Sequence, residues 1–176
     1  PLRAGSTVLL NVEYKEPGIP GQYREYEIEE EIGRGTFSIV YEATDVIGKR
    51  EVALKILRQE WSSHEKALIR FQRVANLLSR LDHPNVDRVY NFGRYGADFF
   101  IVMETLGGLT VEHALERGIN FDVKHAVVIV AQVLLGLERI HSEGTVHRDI
   151  KPGNVMLQPE QAVVMDLGLA HISGET

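Results

Sequence analysis

The sequence of 176 residues contains no cysteine, and basic residues are outnumbered by acidic ones, 19 to 25. Without cysteine, disulfides, thiolate metal sites and cysteine nucleophiles are excluded. The formal net charge of -6 argues against a general nucleic-acid binder, which needs a basic face to neutralise phosphates. We therefore expect no nucleic-acid partner. The composition is compatible with a reducing cytoplasm, which is the location that we expect.

Long apolar runs are also missing from the sequence. A helix needs about 20 predominantly apolar residues to cross a bilayer. The most apolar run, residues 126–137, is shorter than that and includes Gln132. No signal peptide is visible, and because the first residue is Pro1 rather than Met, we expect a processed or excised piece. The sequence thus predicts no membrane segment in this chain.

The first part of the chain has the residue pattern of strands. Residues 1–22 form a lead-in, which we interpret as an N-terminal extension or linker with no assigned function. Residues 23–104 follow as a predicted antiparallel sheet. Apolar residues recur at helical spacing over 64–81, which predicts one helix that ends before Pro84. The predicted strands, including one in the lead-in, are 7–12, 26–32, 39–44, 51–57, 86–92 and 99–104.

Residues 105–176 are predicted to be mainly helical. A hinge-like segment, 105–108, precedes a short helix at 110–117 and a long helix at 121–142. The long helix is apolar around most of its surface, as helices buried inside a larger domain usually are. From Thr145 onward, short strands and loops return. The whole pattern predicts an α+β fold.

Two motifs lie among the predicted strands. Residues 33–40, Gly-Arg-Gly-Thr-Phe-Ser-Ile-Val, fall between two strands, where glycines let backbone amides approach phosphates. Alone, this motif is equally well explained as a Gly-rich hairpin. Residues 52–55, Val-Ala-Leu-Lys, place a lysine in an apolar strand. This is unusual because burying an unpaired ammonium is costly, although an edge-strand lysine that reaches water would explain it too.

Two further motifs lie near the end of the chain. Residues 147–154 read His-Arg-Asp-Ile-Lys-Pro-Gly-Asn, so Asp149, Lys151 and Asn154 place an acceptor, a cation and an amide oxygen in one loop. Asp166 follows, in the sequence Asp-Leu-Gly. A carboxylate beside a glycine in a tight turn suits a magnesium ligand. Taken alone, that aspartate would be interpreted as a turn residue.

In this order and spacing, the four motifs resemble the protein kinase family, over residues 23–170. The resemblance implies a protein kinase-like fold, with an antiparallel N-lobe sheet and one helix in residues 23–104. Residues 105–176 would be the hinge and a partial, mainly helical C-lobe that ends in the activation segment. ATP and Mg²⁺ would be the cofactors, and a protein with Ser or Thr hydroxyls the substrate. Residues 88–93 and 147–155 are similar to bacterial Ser/Thr kinases.

The resemblance also implies a role for individual residues. Asp149 would accept the proton of the substrate hydroxyl, and Lys151 would neutralise charge on the transferring γ-phosphoryl group. Lys55 would hold the α- and β-phosphates, while Asn154 and Asp166 would bind Mg²⁺. This division suits phosphoryl transfer, where positioning and electrostatic stabilisation supply most of the catalysis. The nucleotide-binding positions would be Ile32, Gly33, Gly35, Ser38 (in place of the usual third glycine), Val40, Ala53, Lys55, Met103, Glu104, Leu106 and Met156.

Two departures from the family pattern affect these expectations. Val74 stands where the family usually has the glutamate that pairs with the lysine, and Glu65 lies on another face of the predicted helix. The chain also ends soon after Asp166, before the remaining C-lobe helices of the family. We therefore expect a truncated chain that is impaired in catalysis. It would self-associate through apolar residues of the long helix that those helices would otherwise cover.

Three functional interpretations follow. An active Ser/Thr protein kinase, seen here as a fragment, is favoured by the complete set of catalytic residues. A pseudokinase or nucleotide-binding scaffold is favoured by Val74. A small-molecule phosphotransferase is least favoured, because Lys151-Pro152 is typical of Ser/Thr protein kinases. His147 is interpreted as a packed loop histidine that orients the catalytic segment, and His141 as the end of a helix, rather than as a metal pair.

Overall fold

The computed structural model describes residues 2–13, 22–62 and 64–167, which form an α+β fold in two units. The first unit comprises Pro1–Ser79 and Val89–Thr105, and the second comprises Arg80–Arg88 and Leu106–Thr176. The predicted boundary after residue 104 is therefore close to the observed one. However, residues 80–88 lie in the second unit, whereas we expected them in the first.

The first unit is an antiparallel β-barrel with two helices. Its strands are β1 (Thr7–Glu13), β2 (Gln22–Arg34), β3 (Ser38–Asp45), β4 (Arg50–Leu57), β5 (Val89–Tyr95) and β6 (Asp98–Glu104). They pair in the order β1-β2-β3-β4-β6-β5, and β1 also pairs with β5, which closes the barrel. A short helix, α1 (Gln59–Ser62), follows β4 directly, and α2 (Glu65–Leu78) follows α1.

The N-terminal segment belongs to this barrel. Strand β1 pairs with β2, with Thr7 opposite Glu27, and with β5, with Asn11 opposite Arg94. Leu2 is buried in the barrel core, and its backbone N–H donates to the Asp98 carboxylate at 2.9 Å. Residues 2–13 thus pair with the barrel, and the interpretation of residues 1–22 as an N-terminal extension or linker stays a prediction. The sequence pattern showed a strand here but could not show its second partner, because β5 lies far along the chain.

Strand β4 shows how the barrel separates its two faces. Val52, Leu54 and Ile56 belong to the core cluster inside the barrel. Because side chains alternate along a strand, Ala53 and Lys55 point to the other face. They are nevertheless buried, with 5% and 7% of their surface exposed. This second face of β4 therefore carries two of the predicted nucleotide-binding residues.

The second unit combines two helices with a small sheet. Helix α3 (Val111–Glu116) begins after Thr110, and α4 (Val123–Ser142) begins after Asp122. The Asp122 carboxylate accepts the backbone N–H of His125 at 2.7 Å, and this bond lowers the pKa of Asp122. The antiparallel sheet has the strands β7 (Leu109–Thr110), β8 (Val155–Leu157) and β9 (Ala162–Val164), and one 3₁₀ turn spans Pro152–Asn154.

Contacts of helix α4 with β9 and residue 85 hold this unit together. The side-chain oxygen of Gln132, the polar residue in the apolar run, accepts the backbone N–H of Ala162 at 2.7 Å. Gly136 lies so close to Asn85 that a Cβ there would be 2.5 Å from the Asn85 carbonyl oxygen. The rest of the helix is less buried than its composition predicts, because only Gly136 and Ile140 are buried. Within the described residues, no helix is long and apolar enough to span a bilayer.

Two element boundaries differ from the prediction for one reason. Helix α2 ends at Leu78 and strand β5 begins at Val89, whereas we expected 81 and 86. Asn85 and Asp87 hydrogen-bond to the backbone of Val164 instead, at 3.0 and 2.9 Å. The apolar residues of this segment therefore pack in the second unit, as a bridge to β9, and do not extend β5.

Candidate functional site

The Gly-rich turn and the lysine strand are aligned by the register of the barrel. Gly33 in β2 lies opposite Val40 in β3, and Val40 lies opposite Lys55 in β4. Residues directly opposite each other in neighbouring strands share a face of the sheet. The structure therefore brings Val40 and Lys55 together on one face, beside the backbone of Gly33.

Further predicted nucleotide-binding residues share this face. Ala53 precedes Lys55 by two residues, and Met103 in β6 lies opposite Ala53. Glu104 lies opposite Val52, at the exposed end of β6. Val40, Ala53, Lys55 and Met103 thus form one patch, which places a cation beside apolar side chains. Such a combination can accept a ligand with an apolar ring and a charged end.

The two glycines of the turn are not required by the backbone itself. A Cβ at Gly33 would meet Val40 at 3.8 Å, and one at Gly35 would meet the Ser38 carbonyl oxygen at 3.7 Å, which are ordinary contacts. Neither glycine has positive φ. A reason for glycine at these positions is therefore the close approach of another molecule to the backbone. Ile32 is exposed at the end of β2, whereas Ser38 is buried at the start of β3.

The turn also carries a charged residue, Arg34, which is paired with Glu31. The Arg34 guanidinium donates two hydrogen bonds to the Glu31 carboxylate, one of them 2.8 Å long. These bonds lower the pKa of Glu31 and raise the pKa of Arg34. Both side chains are at the surface. The pair therefore keeps the Arg34 charge close to β2, one residue away from each glycine.

In the second unit, the structure brings together three of the predicted catalytic-loop residues. The ammonium of Lys151 lies 3.0 Å from the Asp149 carboxylate. The side-chain amide of Asn154 donates to the same carboxylate at 2.9 Å and to the Asp149 carbonyl at 2.8 Å. Because the side-chain amide nitrogen of Asn154 faces Asp149, the side-chain oxygen Oδ1 points elsewhere and is the atom that could ligate a cation.

The buried residue His147 supports this loop, as predicted. Only 1% of its surface is exposed. Its Nδ1 accepts the backbone N–H of Asp149 at 3.3 Å, so that Nε2 carries the proton and donates to the Met165 carbonyl at 2.9 Å. This neutral ring therefore connects the backbone of Asp149 with the segment that precedes Asp166.

Strained backbone marks two positions in this region. Arg148 and Asp166 have φ values of 67° and 57°, in the left-handed region that most side chains avoid. Such residues often occur at functional sites, where the surrounding structure holds them in place. The sequence indicated Asp166 through its motif but gave no sign of either strained conformation. Gly168 of the same motif lies outside the described residues.

The residues predicted to ligate a metal offer only oxygen atoms. Asp166 is exposed. It follows Met165, whose backbone N–H donates to the backbone carbonyl of Asn154 at 2.9 Å. Two oxygen donors fit Mg²⁺, which keeps several waters and takes its other ligands from phosphates. Among residues 2–13, 22–62 and 64–167, no group of three or more His, Asp or Glu residues could hold a metal ion.

The remaining predicted residues are Leu106, Met156 and Val74. Leu106 and Met156 are half-buried in the second unit, and Met156 pairs with Thr110 and Val163. Val74 is half-buried in the first unit on α2, whose only carboxylate in sequence is the exposed Glu65. Lys55 does interact with another group in the structure.

The chain matches a protein-family model over most of its length. The model of the protein kinase domain matches residues 26–176. The chain belongs to the protein kinase domain family. It is 35% identical over 153 residues to the probable serine/threonine-protein kinase PknB of Lactococcus lactis subsp. lactis (strain IL1403), and 38% over 158 residues to the serine/threonine-protein kinase pkn3 of Myxococcus xanthus. These relatives support the predicted similarity to bacterial Ser/Thr kinases.

Each of these alignments covers 86% of the chain, but only 24% and 29% of the two relatives. A solved structure shows the same extent of match. The crystal structure of the M. tuberculosis PknI kinase domain has a TM-score of 0.72 and 26% identity, and the match covers 83% of this chain and 59% of that one. The predicted kinase-like fold is thus confirmed. The chain corresponds to part of a kinase domain.

The buried ring of His147 generates a prediction about stability. Replacing it, in His147→Ala, removes the partners of two backbone groups and leaves a cavity. We expect the free energy of unfolding to fall by roughly 2–4 kcal/mol. Urea denaturation followed by circular dichroism measures this loss. His141→Ala is the matched control, because His141 is exposed at the end of α4. An equal, small effect of both substitutions would contradict the supporting role of His147.

Proposed function

We propose that this chain is the ATP-binding and catalytic-loop part of a Ser/Thr protein kinase, which transfers the γ-phosphoryl group of ATP to Ser or Thr hydroxyls of proteins. The observation that carries the proposal is the arrangement of Lys151 and Asn154 around the Asp149 carboxylate. Because the chain spans about a quarter of its curated relatives, the activity and substrates of the whole protein are part of this proposal.

The catalytic loop has the chemistry that the reaction needs. The Asp149 carboxylate would accept a hydrogen bond from the substrate hydroxyl and take its proton as the hydroxyl oxygen bonds to the γ-phosphorus of ATP. The bond from that phosphorus to the bridging oxygen breaks at the same time, and ADP leaves. The side-chain amide of Asn154 orients this carboxylate through one hydrogen bond and holds the backbone carbonyl of Asp149 through another. The Lys151 ammonium is near enough to Asp149 to stabilise negative charge that develops on the phosphoryl group.

ATP and Mg²⁺ are the proposed cofactors. Lys55 would supply the cation for the α- and β-phosphates, and the amides of the Gly-rich turn would donate to phosphate oxygens. The side-chain oxygens of Asn154 and Asp166 would hold Mg²⁺. When bound, the metal neutralises phosphate charge and aligns the phosphates for transfer. A cytoplasmic location agrees with ATP as cofactor and stays a prediction.

A nucleotide-binding scaffold is the second candidate function. It is favoured by Val74, because a valine cannot form the ion pair that a glutamate on this helix would form with a lysine. The catalytic aspartate and the metal-binding aspartate are both present, which favours the kinase. The two candidates share nucleotide binding and differ in phosphoryl transfer, so that two experiments test them in turn.

Nucleotide binding is tested first by thermal melting of the chain with and without ATP and Mg²⁺. We expect ATP with Mg²⁺ to raise the melting temperature, because a ligand that binds only the folded state stabilises it. Asp166→Ala should weaken the shift by removing a metal ligand. The control is Asp82→Ala, an exposed acidic residue outside the motifs. No shift in the unaltered chain would argue against both candidates.

Phosphoryl transfer is tested by Val74→Glu in the full-length protein. We expect the rate of transfer to a protein substrate to rise about tenfold, which corresponds to about 1.4 kcal/mol of barrier. The new carboxylate would help to hold the Lys55 ammonium where it meets the phosphates. Gln72→Glu adds the same charge at an exposed position of α2 and should have no effect. If neither the unaltered protein nor Val74→Glu transfers phosphate although ATP binds, the scaffold is supported.

We further propose that the 176-residue chain self-associates through helix α4. Val127, Val130 and Leu134 are 61%, 56% and 59% exposed, and they recur at helical spacing on one side of the helix. Together with neighbouring residues they form a shallow groove of about 490 Å³. An exposed apolar patch of this kind often marks a protein interface. The groove is lined by Phe121, Val123, Ala126, Val127, Val130, Ala131 and Leu134.

Sedimentation velocity over a range of concentrations tests self-association. We expect a concentration-dependent shift from monomer to dimer. Leu134→Lys should weaken the dimer about tenfold or more, because burying an ammonium in an apolar interface is unfavourable. Leu115→Lys makes the same substitution at an exposed leucine of α3, outside the groove, and should leave the dimer intact. A monomer at every concentration would refute the proposal.

A further inference from the structure

The single tryptophan of the chain, Trp61, contacts the Gly-rich turn. It lies in α1, the short helix that directly follows the lysine strand β4. Its indole N–H donates to the backbone carbonyl of Thr36 at 3.2 Å. Its ring also packs edge-on against Phe37, with ring centroids 4.8 Å apart. None of these contacts was indicated by the motifs, because α1 carries no motif residue.

Arg58, at the end of β4, contacts the residues on both sides of Thr36. Its side chain donates to the Gly35 carbonyl at 3.4 Å, and its backbone N–H donates to the Phe37 carbonyl at 2.9 Å. Together with Trp61, it supplies a donor for each of three consecutive carbonyls in the turn. The segment after β4 therefore holds the backbone of the turn at three successive peptide groups.

Holding these carbonyls also orients amides. In a trans peptide the C=O and the following N–H point in opposite directions, and the described residues include no cis peptide bond. The carbonyls of Gly35, Thr36 and Phe37 point towards α1 and Arg58, so the amides of Thr36, Phe37 and Ser38 point away from them. The turn thus presents three adjacent N–H groups on the side opposite α1, which is an arrangement that suits an anion.

We propose that Trp61 is a positioning residue for phosphate binding. It holds the Gly-rich turn through its N–H and its ring, and so pre-orients the amides that meet the phosphates of a nucleotide. This inference rests on the proposed function, because it requires a nucleotide at this turn. Pre-orientation strengthens binding by reducing the ordering that the ligand must otherwise impose. It should therefore act on the phosphates and not on the nucleoside.

The test compares two ligands, ATP with Mg²⁺ and adenosine, by calorimetry on the unaltered chain and two variants. Trp61→Leu removes both the N–H donor and the ring. We expect it to weaken ATP binding about three- to tenfold, the effect of one or two hydrogen bonds, and to leave adenosine binding unchanged. Trp61→Phe keeps a ring next to Phe37 but lacks the donor, and should give a smaller loss for ATP.

The outcomes separate positioning from a structural role. Equal weakening of ATP and adenosine would mean that Trp61 only stabilises the fold, and no weakening of either would also overturn the inference. Binding of neither ligand to the unaltered chain would overturn the proposed function. In that case the contact itself remains measurable without nucleotide, because Trp61 is the only tryptophan. Phe37→Ala should then shift its fluorescence emission to longer wavelength, and an unchanged spectrum would show that the contact does not form.

Discussion

The hydrogen bonds of Asn154 hold the candidate catalytic loop of the second unit, residues 147–154, in one conformation. Its side chain binds Asp149, its backbone N–H closes the 3₁₀ turn on Lys151, and its backbone carbonyl accepts from Met165. One buried residue thus connects the acceptor, the cation and the segment that leads to the metal-binding candidate. Removing one partner from such a buried network lowers the free energy of unfolding more than removing a single exposed hydrogen bond does, because the other buried polar groups lose their partners too. The geometry of this loop follows from this residue.

Much of the site could be predicted from the sequence because its signals are local. The motifs around Lys55 and Asp149 occur in short stretches, and the strands beside them have clear alternation. What could not be predicted depends on distant partners or on backbone strain. The closure of the barrel by β1 requires β5, and the contacts of Trp61 require the turn that precedes it by two elements. The positive φ of Arg148 could not be predicted either, because arginine does not favour this conformation.

Helix α2 and helix α4 each carry an unusual feature, and the two features differ in kind. On α2, Val74 is the predicted departure from the family pattern, while the helix itself forms and buries Phe71, Ala75 and Leu78. On α4, the sequence is apolar around most of the helix, but the apolar side chains are largely exposed in this chain. The first difference concerns the chemistry of one position. The second concerns how much of the fold the chain contains, since it matches about three fifths of a solved kinase domain.

Closure of the barrel has a consequence for the behaviour of the first unit towards other chains. An open sheet has edge strands whose unpaired N–H and C=O groups can pair with a strand of another molecule. Here β1 covers the outer edges of both β2 and β5, so that every described strand of the first unit has two neighbours. Strand β1 thus protects this unit from edge-to-edge aggregation, a role that is separate from the proposed phosphoryl transfer.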